Sequence, residues 1–581
     1  MSDRIPFPED SAWPRRLLHV DTLTSYEWQP GNMYGGYRSP RYNAISYTWG
    51  RFVIKGDDAH PGITPMPMPI KGTTWEEYLP RINPQVFTNA ELVHATKTAA
   101  CPWPEYNRVD FIWLDVACIN QTPGSVENAG EVGRQAKIFK GAGDVFIWLY
   151  SFDCESFLKV SEEMTAAMMM STDDPNRYPR LIAVFETFEK DPWFSSLWTL
   201  QEAFLSPQAI FLWRDGFTER FLQLARLEGP VVSYQPFTLK LWVDAWRFFG
   251  AEQPEHKESA ILASKIWNLG FMDAVLDADE DMLTGGGDAQ YPRGVMGNPF
   301  GLLVASKHRT TTYEEDRIYA IMQVFDLKLG KSAEGAADRS FSFEELNEQL
   351  AAALLEKYPL ISQLIKQDKD CKERRAWMLT PSVSLTQTTY DAWDHLALGG
   401  RADIVASLRA ERYAGYLRAS FSGPVTSLEA WWRSVSTQQS FCSGRYKIML
   451  DTRWQDHLEY STGSKLIARR RGLGMNERQI STMIECFQRP KILFLGYLSR
   501  ADTVPPESDL YCHMMHTAFG LMLREEQQEP RRTYSRIGIL SWDLDAAEDR
   551  QGHVYPHHPD FEEYLCGRGE GWDWEDDGLF G

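Results

Sequence analysis

Four short, unbroken apolar runs in the first 215 positions constrain this chain most. They are Tyr42 to Thr48, Phe111 to Asp115, Val145 to Leu149 and Ala209 to Trp213. Each is strand-length and rich in β-branched or aromatic residues. None alternates apolar with polar, so each predicts a strand buried on both faces, as in a parallel sheet. Between the second and third runs, Glu131 to Phe139 predicts a helix. Between the third and fourth, helices are expected near Leu158 to Met170, Leu181 to Phe188 and Leu197 to Leu205. Strands alternating with helices predict an α/β fold, a parallel sheet flanked by helices.

At 581 residues the chain exceeds one ordinary core, so several domains are expected. Arg51 to Pro84 is rich in Pro and Gly and reads as a long loop after the first strand. Residues 276–299 read as a second loop, and Gly285 to Gly287 within it lack the preceding strand that a phosphate-binding loop needs. Beyond residue 330 the pattern changes. Ser342 and Glu345 have capping-box spacing, followed by Leu346, Leu350 and Leu354 at helical spacing. Ile492 to Leu498 and Ile537 to Trp542 read as strands, so a mixed α+β region is expected there. The acidic end, Gly571 to Gly581, is expected to fray.

Acidic residues outnumber basic ones, 80 to 60, for a net charge of -20. Such a chain repels phosphates on average, so neither nucleic acid nor anionic lipid is an expected partner. Arg469 to Arg471 is the obvious basic run and reads as solvated surface. The eight Cys are irregularly spaced with no CxxC pair, which fits reduced thiols and a cytoplasmic location. The N-terminus lacks an apolar signal core, and no run approaches the roughly 20 apolar residues that span a bilayer. Cys512, His513 and His516, and His553, His557 and His558, supply no complete set of zinc ligands, so no metal site is expected. No GxSxG elbow supports serine hydrolase chemistry.

Three motifs occur in order: Ala44-Ile45-Ser46-Tyr47-Thr48-Trp49-Gly50, then Trp113-Leu114-Asp115-Val116-Ala117-Cys118-Ile119-Asn120-Gln121, then Pro192-Trp193-Phe194 with Leu197-Trp198-Thr199-Leu200-Gln201-Glu202. Together they resemble the signature blocks of the fungal heterokaryon-incompatibility (HET) domain. Ile138-Phe139, Ala142 and Val145 to Leu149 resemble its helix-to-strand block, and Arg309-Thr310-Thr311 with Asp316 to Ala320 a downstream block. The resemblance implies an N-terminal extension over 1–41, a HET domain over 42–327 with its core at 42–215, and an accessory region of unknown function over 328–581. Two departures stand out. Tyr150 replaces the family's usual Gly, and Glu127, Glu131 and Gln135 fit the pattern of the preceding helix poorly.

The HET domain is in turn similar to Toll/interleukin-receptor (TIR) domains, which are flavodoxin-like sheets. By that resemblance Glu202 matches the carboxylate with which enzymatic TIR domains cleave NAD. NAD is then a substrate, and no cofactor is required. Cleavage of the nicotinamide–ribose bond builds positive charge on the ribose, which a carboxylate stabilises. The ligand crevice of an open α/β sheet lies beyond the strands' carboxyl ends. Ser46, Tyr47, Trp49, Gly50, Asp115, Asn120 and Gln121 would line it, with Trp49 or Trp198 stacking on a flat ring. Plainer readings stand beside these. Glu202 can cap or salt-bridge a helix, the Trp residues can anchor the core, Asp115 can bond its own loop, and Asn120 and Gln121 are good turn formers. The family implies a cell-death effector of nonself recognition. The alternatives are a non-enzymatic module that acts by self-association as a homo-oligomer, answering an unknown protein trigger, and an inactive scaffold.

Overall fold

In the computed structural model, the described residues are 7–8, 11–48, 50, 52, 63–102, 107–171, 173–216, 239, 243, 257–269, 297–336, 338–368, 371, 373–397, 399–436, 442–462, 477–500, 515–527, 531–544 and 571–580. The chain divides into two compact units, Met1–Ala274 with Gln290–Leu346, and Val275–Ala289 with Asn347–Gly581.

The first unit is built on a six-stranded sheet. Its strands are β1 (Arg16–His19), β2 (Thr24–Glu27), β3 (Tyr42–Ser46), β4 (Phe111–Trp113), β5 (Val145–Leu149) and β6 (Ile210–Trp213). The order across the sheet is β6-β5-β3-β4-β1-β2. The four predicted strands are mutually parallel, and every residue of β3, β4, β5 and β6 is buried. Helices α1 (Asn89–Ala100), α2 (Asp115–Cys118), α3 (Val126–Val132) and α4 (Gln135–Gly141) lie between β3 and β5 in the chain. Helices α5 (Cys154–Met168), α6 (Arg177–Phe188) and α7 (Leu197–Leu205) lie between β5 and β6. The unit also holds α8 (Lys257–Asn268), α9 (Pro299–Ala305) and α10 (Asp316–Met322).

Two expectations change here. Residues 16–27, expected in an extension outside the domain, join its sheet, because β1 pairs antiparallel with β4 and β2 with β1. The sheet is therefore mixed rather than wholly parallel, and the Leu17–Leu18 edge is sealed in the core. The helix expected over Glu131 to Phe139 is two short helices broken at 133–134. Glu131 is 2% exposed, bonded to Arg134 at 2.7 Å and to the Arg15 backbone N–H at 3.2 Å. Glu127 binds the Arg15 guanidinium at 3.0 Å. The unusual residues of this segment thus tie the β1 strand to the helices. Of the proline-rich stretch, the described part holds a short antiparallel pair, Met66–Pro67 with Arg81–Ile82. Residues 276–296 of the expected loop, Arg469 to Arg471, Cys512, His513 and the three later His residues lie outside the described residues, while Asn298 and Pro299 cap and open α9.

The first unit runs past residue 328. The backbone N–H of Lys331 donates to the Tyr319 hydroxyl at 3.1 Å, and Leu329 and Gly330 are buried. Ser342 and Glu345 form the expected reciprocal cap of α11 (Phe343–Lys357), with Ser342 N–H to Glu345 Oε2 at 2.8 Å and Glu345 N–H to Ser342 Oγ at 3.2 Å.

The second unit has strands β7 (Arg401–Ile404), β8 (Ser407–Tyr413), β9 (Tyr416–Ser427), β10 (Cys442–Leu450), β11 (Lys491–Arg500), β12 (Met515–Gln527), β13 (Thr533–Leu544) and β14 (Asp573–Phe580). The pairings β9–β11, β11–β12, β12–β13, β13–β14 and β14–β9 run in a closed ring. Helices α12 (Leu428–Ser436), α13 (Thr452–Thr462) and α14 (Glu477–Cys486) accompany it. Trp431, Leu458 and Met483 from these helices share one apolar cluster with Ile492, Phe494, Met522 and Trp542. The acidic end does not fray: β14 closes the ring, with Leu579 and Phe580 fully buried. Two apolar side chains outweigh the charges around them.

Candidate functional site

Buried polar side chains meet at the carboxyl end of β3. Ser46 ends the strand, 1% exposed. Its Oγ donates to Glu202 Oε2 at 2.5 Å and accepts from the Trp193 indole N–H at 2.8 Å. The first and third signature motifs therefore meet through one hydroxyl.

Each partner is held by its own local structure. Trp193 is fully buried in a short 3-10 turn, Pro192–Phe194, which Asp191 caps. Asp191 accepts from the backbone N–H of Trp193 at 2.9 Å and of Ser151 at 3.1 Å. Burial pushes its carboxyl up to about 6, against the pull of those donors. Arg309 then clamps the turn to α7, donating to the Trp193 carbonyl at 2.8 Å, the Ser196 carbonyl at 3.2 Å and the Leu269 carbonyl. Thr310 N–H donates to the Ser195 carbonyl at 2.7 Å, and Leu197 N–H to the Thr310 carbonyl at 3.0 Å. The downstream motif thus locks the start of the helix that carries Glu202.

Glu202 is 8% exposed. Burial pushes its carboxyl well above the ordinary carboxylate range; the Ser46 hydroxyl opposes this, and the Asp115 charge adds to it. Asp115 follows β4. Loss of solvent pushes its carboxyl up to about 6, opposed by the Tyr47 hydroxyl and the Val116 N–H. Two carboxyls, both pushed above the ordinary carboxylate range, thus share this rim. The Tyr47 hydroxyl beside Asp115 and the Thr48 hydroxyl are buried without a hydrogen bond of standard geometry. Unsatisfied buried polar groups are uncommon and are natural points for a ligand or water.

The remaining expected site residues fall elsewhere. Trp49 lies outside the described residues. Gly50 has φ 84°, a left-handed turn that glycine adopts without strain. Asn120 caps its own loop: its Oδ1 accepts from Thr122 N–H at 2.9 Å and its Nδ2 donates to Glu127 at 3.0 Å. Gln121 donates to the Ile119 carbonyl at 2.8 Å. Trp198 points its indole N–H at Asp316, 3.4 Å away, not at the Ser46–Glu202 pair. Asn120 and Gln121 bond within their own loop, and Trp198 is only half-buried, so it is not a core anchor. Trp113, Trp148 and Trp193 are buried core anchors. Cys118 is buried, and burial pushes its thiol up to about 12, which suits a small apolar residue rather than a nucleophile.

Two residues of this rim were missed by sequence reasoning. Asp191 is signalled only by preceding Pro192, a capping pattern. Gln201 is 1% exposed, and neither amide atom has a hydrogen-bond partner; it stands in the third motif, beside Glu202, but was not singled out there. No group of three or more His, Cys, Asp or Glu suited to a metal ion occurs among the described residues.

Sheet and rim together define an α/β domain with paired carboxyls beyond its parallel strands. The sequence model of the heterokaryon incompatibility protein (HET) family matches residues 42–202, from the first residue of β3 to Glu202 itself. No curated protein and no solved structure matches the chain. Among the described residues, no helix is long and apolar enough to cross a membrane.

Proposed function

We propose that this protein acts in heterokaryon incompatibility, as a nonself-recognition effector whose N-terminal unit cleaves NAD at the Ser46–Asp115–Glu202 rim. The observation that carries the reading is the junction of Ser46 and Glu202 at 2.5 Å, with Asp115 close enough to raise the proton affinity of Glu202. The topology supports a flavodoxin- or TIR-like reading. The parallel strands run second-first-third-fourth across the sheet, and β3 flanks the point where that order reverses. In doubly wound sheets, ligands bind beyond the carboxyl ends of the strands at that point.

In this mechanism the bond from ribose C1′ to the nicotinamide nitrogen breaks. Its electron pair goes to the nitrogen and neutralises the cationic ring. Water adds to C1′ and gives its proton to Asp115. Glu202, oriented by Ser46, holds the ribose hydroxyls. The test is nicotinamide release from NAD by purified protein, alone and under enforced assembly, comparing wild type with Glu202→Gln. We expect release by the wild type and at least a hundredfold loss in the variant, the scale of removing a positioned acid or base. Absence of release in every assembled state overturns the enzymatic reading.

One set of contacts favours a second reading, a non-enzymatic module that acts by self-association. Glu202 is satisfied internally by Ser46, and Trp198 by Asp316. In that case Glu202→Gln leaves cell killing intact while substitutions that block assembly abolish it.

A further inference from the structure

Among the described residues of the C-terminal unit, neither Arg374 nor Arg418 forms an ion pair with a carboxylate. Arg418 lies on β9 and is 7% exposed. Its Nη1 is buried with no hydrogen-bond partner, and no carboxylate among the described residues lies within ion-pair distance of it. Arginine does not shed its proton to escape such a site. A buried unpaired charge is costly, so an unpaired guanidinium inside a well-packed sheet calls for a partner.

The carboxylates that could serve are taken. Glu411 stands opposite Arg418 in the β8–β9 register, on the same face of the hairpin. It binds Arg531, which also holds Asp577. Glu526 on β12 lies near enough to favour the charged form of Arg418, but it accepts the Ser535 hydroxyl. A second cation comes instead. The short 3-10 turn Glu373–Arg375 packs on β9, and the Arg374 guanidinium stacks over the Tyr416 ring at 4.6 Å. Tyr416 is two residues before Arg418 and therefore on the same face. Burial, then the Arg374 charge, lower the Arg418 proton affinity below its ordinary value; Glu526 and Tyr413 oppose them.

We propose that Arg374 and Arg418 form a binding site for the phosphate group of a small soluble molecule. Two planar forks bind a dianion with several oxygens better than a single carboxylate. The site is independent of the rim in the N-terminal unit. It gives a net-acidic chain one place where a phosphate is attracted.

Full-length protein is titrated with inorganic phosphate and then pyrophosphate, followed by calorimetry and phosphorus NMR, at ionic strength held constant with chloride. Saturable binding is expected, weakened about tenfold or more in Arg374→Ala and lost in Arg418→Gln. Arg374 is exposed, so its variant reports on binding even if Arg418→Gln fails to fold. Absence of saturable binding, or equal binding by Arg374→Ala, overturns the proposal. So does binding to vesicles of phosphorylated inositol lipid without binding to soluble phosphate.

Discussion

Ser46 shows how one hydroxyl organises two distant motifs. It can accept from an indole and donate to a carboxyl at once because a hydroxyl carries both functions. Among small side chains, one that carries a hydroxyl is needed at the end of β3 to satisfy Trp193 and Glu202 together. Asp115 is the residue whose energetics are most open to measurement. Its folded value of about 6 lies above that of an unfolded aspartate, so the native state binds its proton more readily than the unfolded chain. Its presence therefore disfavours folding progressively as pH rises through about 4 to 6, and costs nothing below the unfolded value. Asp115→Asn keeps an acceptor for the Val116 N–H and removes the ionisation. We expect it to be about 1–2 kcal/mol more stable than wild type at pH 8, with the gain gone near pH 4. Denaturant melts of both proteins at the two pH values check this. Equal stability at pH 8 would mean that the carboxyl is solvated.

At the scale of elements, legibility followed burial. The strands β3 to β6 were readable because a strand covered on both faces must be apolar throughout. Helix α7 was placed to the residue, since its pattern is strong and short. β1 and β2 were missed because four residues carry too little periodicity, and β2 is only partly buried. α1 was missed although Thr88 and Glu91 form a capping box that announces its start. Of the candidate site, Ser46, Tyr47, Asp115 and Glu202 were readable as candidates through motif order. The turning away of Asn120, Gln121 and Trp198 was not, because local hydrogen bonds decide it and leave no trace in composition. β1 also has a protective role: it occupies the edge of β4, and exposed strand edges template aggregation. Deleting residues 1–28 should uncover that edge. We expect most of the truncated protein in aggregates by size-exclusion chromatography, whereas an edge covered some other way would leave it monodisperse.

For the molecule as a whole, two units with separate cores predict unfolding that is not two-state. Calorimetry should resolve two transitions. Trp431 is 2% exposed and meets Trp542 edge-on at 5.7 Å, both in the C-terminal unit. Trp431→Ala should destabilise that unit by about 3–5 kcal/mol and lower one transition while leaving the other in place. Movement of both together would mean that the units melt as one. The ring of the second unit has a further consequence for synthesis. Its closing strand is β14, yet the strand that β14 joins, β9, is made far earlier. Until residue 580 has left the ribosome, β9 and β13 lack the partner strand that closes the ring. A message read short of that point would deliver a finished N-terminal unit tied to a sticky, unclosed barrel, a natural target for chaperones and proteases.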